Sequence, residues 1–483
     1  MRKLLLSAAV ASTSVTLAGM ASAATLQVGP NQAYTKPCDA IAAAQPNDII
    51  EVSPGTYTDS CEINVAGLTV RGVGGQPKVD LSGTNHPADY KGIYVIQASN
   101  VTIENLELTG ANIADSNGAN GAGLRIQAVG ATVRGCFIHD NQEGILAGPL
   151  TPGGTITVEY SELSHNGLGN GCNVGGCTHN IYVNEYAKFI FQYNWSHDIG
   201  TDGHLLKSRA DETDVLYNRL TGEMGLDSYE IDMPNGGLGI VVGNVIQKGP
   251  SAHNPNLVSY GEEGLVRTDK RLFLAANTLV NDFASGTFVN VASGGTLTAH
   301  DNLFVGAGTV PTGLSADNLS GADPLFVDPA TYDYHLKMTS PAIGKGVDPG
   351  MADTFSLTPT SEYVHPLKSV ARLTAHDIGA FEYGTNTMGA GQDGGTPESD
   401  GGTPGPDASV EQDGGVGPGP GMDGSVAPGT DGGPATQGDA ATAGVNSGGC
   451  GCQVAEAGGD PRLGVLGLVL GLALVRARRR RRS

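Results

Sequence analysis

Lys207 and Arg209 stand two residues apart in a chain poor in bases, so on an extended strand both side chains project to one face. Two cations on one face can grip a carboxylate, and a neutralised carboxylate acidifies the C–H bond beside it. Removing that proton needs a base within reach, and the departing oxygen needs a proton donor. Lys207, its pKa lowered by Arg209, is read as the base, with His204 or Tyr229 as the donor. These are the three requirements of a β-elimination from a uronate. Glu230, Asp232, Glu262 and Glu263 make an all-oxygen donor set of the kind Ca²⁺ takes. Tyr182, Tyr229 and Tyr260 fall at similar strand positions, so a stacked ladder that would suit a sugar face is expected, with Asn184, Arg267 and Arg271 as further substrate contacts. A plainer reading stands beside this one: Lys207 and Arg209 pair with Asp232 and Glu230 on the next strand as a cross-strand ladder. In that case His179 and His197 are corner residues. Hydrolysis would require two carboxylates flanking one bond, and Asp202-Gly203-His204 is only a faint echo of such a site.

These residues need elements to hold them. A short pattern of β-favouring residues around a small or polar position recurs at Asn105, Gly135, Tyr160, Asn194, Asn218, Asn244, Asn277 and Asn302. The intervals are 30, 25, 34, 24, 26, 33 and 25 residues. A period near 25 with longer insertions is a solenoid signature. Between successive landmarks lies a second β run, such as Asn180-Ile-Tyr-Val, His204-Leu-Leu-Lys and Ser228-Tyr-Glu-Ile. Several short strands per repeat fit a coil stacked on its neighbours, with Asn at a left-handed corner or in a column of stacked amides. Blades of a β-propeller need about 40 residues, so the period excludes them. The long intervals 160–194 and 244–277 place insertions on either side of the 204–233 coils, where they would wall a groove. Aligning His204 on Ser228 turns Lys207 inward, where an unpaired charge is very unfavourable. A one-residue slip or bulge that turns both bases to the groove is therefore expected.

The repeat resembles a right-handed parallel β-helix of the pectate-lyase-like superfamily over residues 24–310, which implies an all-β fold. The stretch from Gly203 to Leu220 is similar to a segment of chondroitinase-B-like and alginate lyases in which the catalytic Lys sits in a Lys-Ser pair, here Lys207-Ser208. That family places an Arg one coil further on, where this chain has Ser228-Tyr229-Glu230, so Arg209 or Arg267 would have to supply the second cation. A Lys207 buried in an ion pair with no open groove above it would end the lyase reading. Asp323-Pro-Leu-Phe-Val-Asp, Ser340-Pro-Ala-Ile and Asp377-Ile-Gly-Ala-Phe-Glu resemble the choice-of-anchor-Q segment that closes bacterial β-helix proteins. They mark 311–383 as a segment capping the open sheet end.

The ends carry addresses. Arg2-Lys3, an apolar run and Ala21-Ser22-Ala23 read as a signal peptide over 1–23. Residues 384–449, rich in Gly, Pro and Asp, cannot bury enough surface to fold and read as a disordered linker. Residues 450–483 hold Cys450 and Cys452, an apolar run from Leu463 to Val475 and an Arg cluster. Those thirteen apolar residues span about 20 Å, short of the roughly 30 Å hydrocarbon core. This tail resembles the MYXO-CTERM sorting segment. The resemblance implies a sorting protease acting near Cys450 or Cys452, membrane association through the tail, and display on the cell surface or release. In an exported chain Cys38–Cys61 and Cys172–Cys177 are plausible disulfides, leaving Cys136 free. The formal charge is −22, and residues 24–383 alone hold 18 Lys+Arg against 38 Asp+Glu. Such a body lacks the clustered bases that phosphate binding needs, so nucleic acid is excluded as a general partner. The expected partner is a polysaccharide met by a monomeric chain. The alternatives carried forward are a lyase on an acidic glycan, a non-catalytic glycan-binding or adhesive surface protein, and, third, a glycoside hydrolase.

Overall fold

The computed structural model describes residues 23–83, 88, 91–148, 153–168, 178–374 and 376–385. The leader, Cys172 and Cys177, the bulk of the 384–449 linker and the tail with Cys450 and Cys452 lie outside the described residues. Within them the chain winds as a right-handed parallel β-helix with three sheets. The first sheet has 11 strands from Thr25–Val28 to Thr296–His300, all parallel. The second has 9, from Cys61–Ile63 to Val289–Val291, and the third has 11, from Thr56–Tyr57 to Leu319–Ser320. A short helix, Pro37–Ala43, lies against the first coils, and the Cys38–Cys61 disulfide beside it is formed. Cys136 is free and buried.

Alternation explains the strands: in Lys188–Gln192, Phe189 and Phe191 are buried while Lys188, Ile190 and Gln192 are partly exposed. Where this pattern stops, something covers the outer face. Leu238–Val242 is buried throughout because Leu238, Ile240 and Val242 pack with Phe273, Ala352 and Leu357. Val245, Val280 and Leu303 on the third sheet are likewise covered by Phe326, Tyr334, Leu336, Ile378 and Phe381. The segment after the solenoid divides in two. Its start meets the last coil, with Leu314 packed on the core, Leu319–Ser320 paired with Leu303–Gly306 and Asn318 continuing the hydrogen bonding, while residues from 326 onward wrap the outer faces of the first and third sheets.

The corner between the first and third sheets separates two tasks that the sequence reading merged. The left-handed residue is Asn105, Gly135, Tyr160, Tyr193, Tyr217, Gly243, Ala276 or Asp301, with φ between 48° and 70°. From the fourth coil the landmark asparagines sit one residue later and point inside. Each donates its side-chain N–H to the next asparagine's oxygen, from Asn194–Asn218 (3.2 Å) through Asn218–Asn244 and Asn244–Asn277 (both 3.0 Å) to Asn277–Asn302 (2.9 Å). A buried amide left unpaired would cost about 1–3 kcal/mol, so the column holds the coils in register. Outside it, the rings of Tyr160, Tyr193 and Tyr217 stack at 4.8 and 5.4 Å. A Cβ on Gly243 would lie 2.5 Å from the Tyr217 ring, which is why the stack ends in glycine.

Candidate functional site

The outer face of the second sheet carries Leu146, Tyr182, Lys207, Asp232 and Ser259 opposite one another on successive coils. Lys207 thus faces outward, opposite Asp232 and not Ile231: the one-residue slip that its charge demands is present. Three residues earlier on each coil a second column runs through Glu143, His179, His204 and Tyr229. Its members hold one another through the main chain. Glu143 accepts from the His179 N–H (2.8 Å), His179 Nδ1 accepts from the His204 N–H (2.9 Å), and His204 Nδ1 accepts from the Tyr229 N–H (3.2 Å). The two imidazoles stack at 4.6 Å. With Nδ1 an acceptor, a neutral His204 carries its proton on Nε2, which lies 3.3 Å from Asp232 Oδ2.

Lys207 is fully buried, with its ammonium 3.2 Å from Asp232 Oδ2 and 3.0 Å from Glu263 Oε1. The other oxygen of Glu263 lies 2.6 Å from the Arg209 guanidinium. Arg209 also donates to the Tyr182 hydroxyl (2.7 Å) and to Asn235. Both cations lie over the Tyr182 ring, at 5.6 and 5.7 Å from its centroid. One carboxylate, that of Glu263, is held between Lys207 and Arg209 on an aromatic floor. Beside it the Tyr229 hydroxyl donates to Glu262, which also accepts from Ser259 (3.0 Å).

Burial sets the protonation of this face. It pushes Glu143 well above the usual carboxylate range and His179 well below the usual imidazole range. His204 is lowered by burial against the pull of Asp232. Burial works to raise Asp232, but the charge of Lys207 with the contact to His204 outweighs it and holds Asp232 low. Tyr229 is raised, first by burial and then by Glu262.

Several expected site residues lie elsewhere. Tyr260 points inward, fully buried opposite Met233, so Tyr182, Tyr229 and Tyr260 form no ladder: the first faces out, the second lies a column away and the third is core. Glu230 leaves the proposed Ca²⁺ set, sealed against Lys248 (2.9 Å) with Asp227 (2.5 Å from the same ammonium). Its pairing with Lys207 or Arg209 is absent too, since their acidic partners are Asp232 and Glu263. Asp232, Glu262 and Glu263 contact Lys207 with His204, Tyr229 with Ser259, and Lys207 with Arg209. These four carboxylates therefore do not converge on one point as a cation would require. Among the described residues, His197, Asp198 and Glu223 on the third sheet do bring ligand atoms within 4.8 Å of one another. There His197 lies between Asp198 (2.9 Å) and Glu162 (3.3 Å), and Glu223 pairs with Arg219 (2.8 Å). Arg271 sits on the first sheet, bound to Asp269 and Asp353. Arg267 contacts Glu185 (3.0 Å) and Asp211 (3.4 Å), and Asn184 donates to the Ala147 carbonyl (2.9 Å). Asp202 meets His253 while His204 faces Asp232, so the hydrolase pair is not assembled.

Sequence reasoning passed over Glu143 and Lys248, gave Asn235 no role beyond lying between the groove walls, and treated His179 as a corner. One signal was available for His179: residues 179, 204 and 229, like 182, 207 and 232, are spaced by 25.

A family model described as a right-handed β-helix region matches residues 58–250. No curated protein sequence matches the chain. Among solved structures, the pectate lyase Pel9A is similar at 16% identity, covering 76% of this chain and 98% of its own, with a TM-score of 0.50. A rhamnogalacturonan lyase follows at 12% identity, 63% and 90% coverage and a TM-score of 0.40. A pectin methylesterase from Aspergillus niger stands at 14%, 63% and 92%, with a TM-score of 0.35. At these identities the likeness to Pel9A establishes the fold alone.

Proposed function

We propose that this β-helix protein is carbohydrate-active: it takes an acidic polysaccharide on the outer face of its second sheet and cleaves it by β-elimination. The observation that carries this reading is the single carboxylate held between Lys207 and Arg209 above Tyr182. A uronate carboxylate seated there is neutralised by two fixed cations in a dry site, which acidifies the neighbouring C–H. A base takes that proton, the C–O bond to the next sugar breaks, a C=C bond forms, and the leaving oxygen collects a proton. Two pairs flank the position and can handle those protons: His204 with Asp232, and Tyr229 with Glu262. Lys207 faces two carboxylates, which suits it to neutralise charge rather than to act as the base assigned to it from sequence. The pectate and rhamnogalacturonan lyases among the similar structures accord with the substrate class. The leader and the sorting-type tail support export and surface display.

The test follows the ultraviolet absorbance of unsaturated product with polygalacturonate, alginate and chondroitin, with and without Ca²⁺. Product that disappears in Lys207→Ala is expected; no product from any polymer sinks the lyase reading. A non-catalytic glycan-binding role is favoured by one observation, the complete burial of Lys207 beneath Glu263. It predicts retention on immobilised glycan without product, nearly intact in Lys207→Ala.

A further inference from the structure

Glu262 and Glu263 sit on a tight turn flanked by two glycines, Gly261 at φ 82° and Gly264 at φ 104°, closed by the Gly264 N–H to the Gly261 carbonyl (2.9 Å). The turn belongs to the insertion between Asn244 and Asn277. Its main chain is tied to the coil beneath: Gly261 donates to Met233 (2.9 Å), Glu263 to Pro234 (3.0 Å) and Arg267 to Asn235 (3.1 Å). The backbone is thus fixed, whereas the Glu263 side chain retains 24% exposure and reaches the site over a chain of rotatable bonds. Its partners are much less exposed, Lys207 at 0% and Arg209 at 11%. Two buried cations thus meet one partly exposed carboxylate that comes from a surface turn.

We propose that the Glu263 carboxylate is a built-in occupant of the uronate position, displaced by side-chain rotation when a glycan presents a free carboxylate. This inference rests on the acidic-glycan reading and narrows it. The contacts made by Glu263 are those a uronate carboxylate would make, one oxygen on an ammonium and one on a guanidinium. A methyl-esterified uronate has no charge with which to replace it, so the site selects unesterified polymer. Glu263 sets a threshold, because any ligand must outcompete a carboxylate held at effectively fixed concentration.

The experiment compares the full chain with its Glu263→Gln variant, which keeps the shape of the turn and removes the charge. Two readouts are taken: acylation of Lys207 by an amine reagent, followed by peptide mass spectrometry, and retention on polygalacturonate and on methyl-esterified pectin. Lys207 is expected to acylate about tenfold faster in Glu263→Gln, and polygalacturonate to be retained about tenfold more tightly, with esterified pectin unchanged. An unchanged acylation rate overturns the proposal, because Lys207 would then be sealed by something other than Glu263. Equal gains for both polymers overturn the selectivity. Faster acylation with no gain on polygalacturonate upholds Glu263 as the cover of Lys207 and refutes the acidic-glycan reading instead.

Discussion

Two lysines, Lys207 and Lys248, are both completely buried, and each meets two carboxylates. Lys248 touches Asp227 and Glu230, both fully buried, and the Ser228 carbonyl (2.7 Å), so the group is sealed on every side. Lys207 touches Asp232, which is buried, and Glu263, which comes from a surface turn. The first arrangement joins the end of a third-sheet strand to the turn before a second-sheet strand, with all three charged groups at 0% exposure. The second includes a carboxylate that is 24% exposed and reaches Lys207 from outside the coil stack. Equal burial thus covers two different arrangements, separated by the origin of the partners: those of Lys248 both belong to the coil stack, whereas one of those of Lys207 comes from an inserted turn, as the proposed site requires.

The strongest way to break this comparison is to remove each ammonium. Lys248→Met leaves Asp227 and Glu230 buried without their cation, and losing one partner of a buried ion group costs about 3–5 kcal/mol. The melting midpoint should fall by roughly 5–10 °C. Lys207→Met should cost less, about 1–3 kcal/mol, because Asp232 keeps His204 and Glu263 can turn to water. Glycan cleavage should vanish in the second variant and, at temperatures where it stays folded, persist in the first. Paired melts and product assays check this; equal destabilisation with equal loss of activity would erase the distinction.

Acid and base separate the two groups more finely. The charge of Lys207 holds Asp232 low despite burial, so its contribution to stability is present above the ordinary carboxylate pKa of about 3.9 and is lost as pH falls through the depressed value. Burial raises Glu230 well above its ordinary value although Lys248 pulls the other way. Its contribution is fully present below about pH 4.3 and is lost as pH rises through the raised value. Asp232→Asn should therefore become increasingly destabilising relative to wild type as pH rises from about 3 to 5 and change little above that. Glu230→Gln should become progressively less harmful, or stabilising, as pH rises from about 4 to 7. Urea melts across those ranges read both slopes, and slopes of the same sign would contradict the assignment.

How much of this the sequence discloses depends on whether the cause is periodic. The coil was legible because inward residues such as Phe189 and Phe191 alternate with outward ones and the spacing returns near 25. Lys207 facing outward was legible on energy alone. The slip itself has a simple origin: Lys188 pairs with Glu212 and Trp195 with Arg219, both 24 apart, whereas Tyr182 pairs with Lys207 and Lys207 with Asp232, both 25 apart. The coils absorb one residue at their corners, and a single alignment frame cannot show that. The asparagines misled for a related reason. Asn tolerates the left-handed corner and also serves an internal ladder, and these two positions are adjacent in the chain. Tyr260 was misplaced because an insertion resets the count, with Met233 and Tyr260 paired 27 apart. Lys248 with Asp227 and Glu230 could not be read at all, since it depends on how two corners meet in space.

The smallest expected effect concerns a third cation, and it tests whether exposure rather than charge count decides importance. Arg271 has two acidic partners, as Lys207 and Lys248 do, with Asp269 at 2.6 Å and Asp353 at 2.8 Å. Its side chain is 39% exposed and that of Asp353 is 57% exposed, so water and salt already screen the pair. Removing the guanidinium leaves two carboxylates that solvent can take over, with no buried charge stranded. Arg271→Ala should accordingly leave the melting midpoint almost unchanged, and it should leave glycan cleavage intact because Arg271 stands on the first sheet rather than beside Lys207. A loss comparable to that of Lys248→Met would show that the number of partners, and not their burial, governs the worth of a cation in this coil.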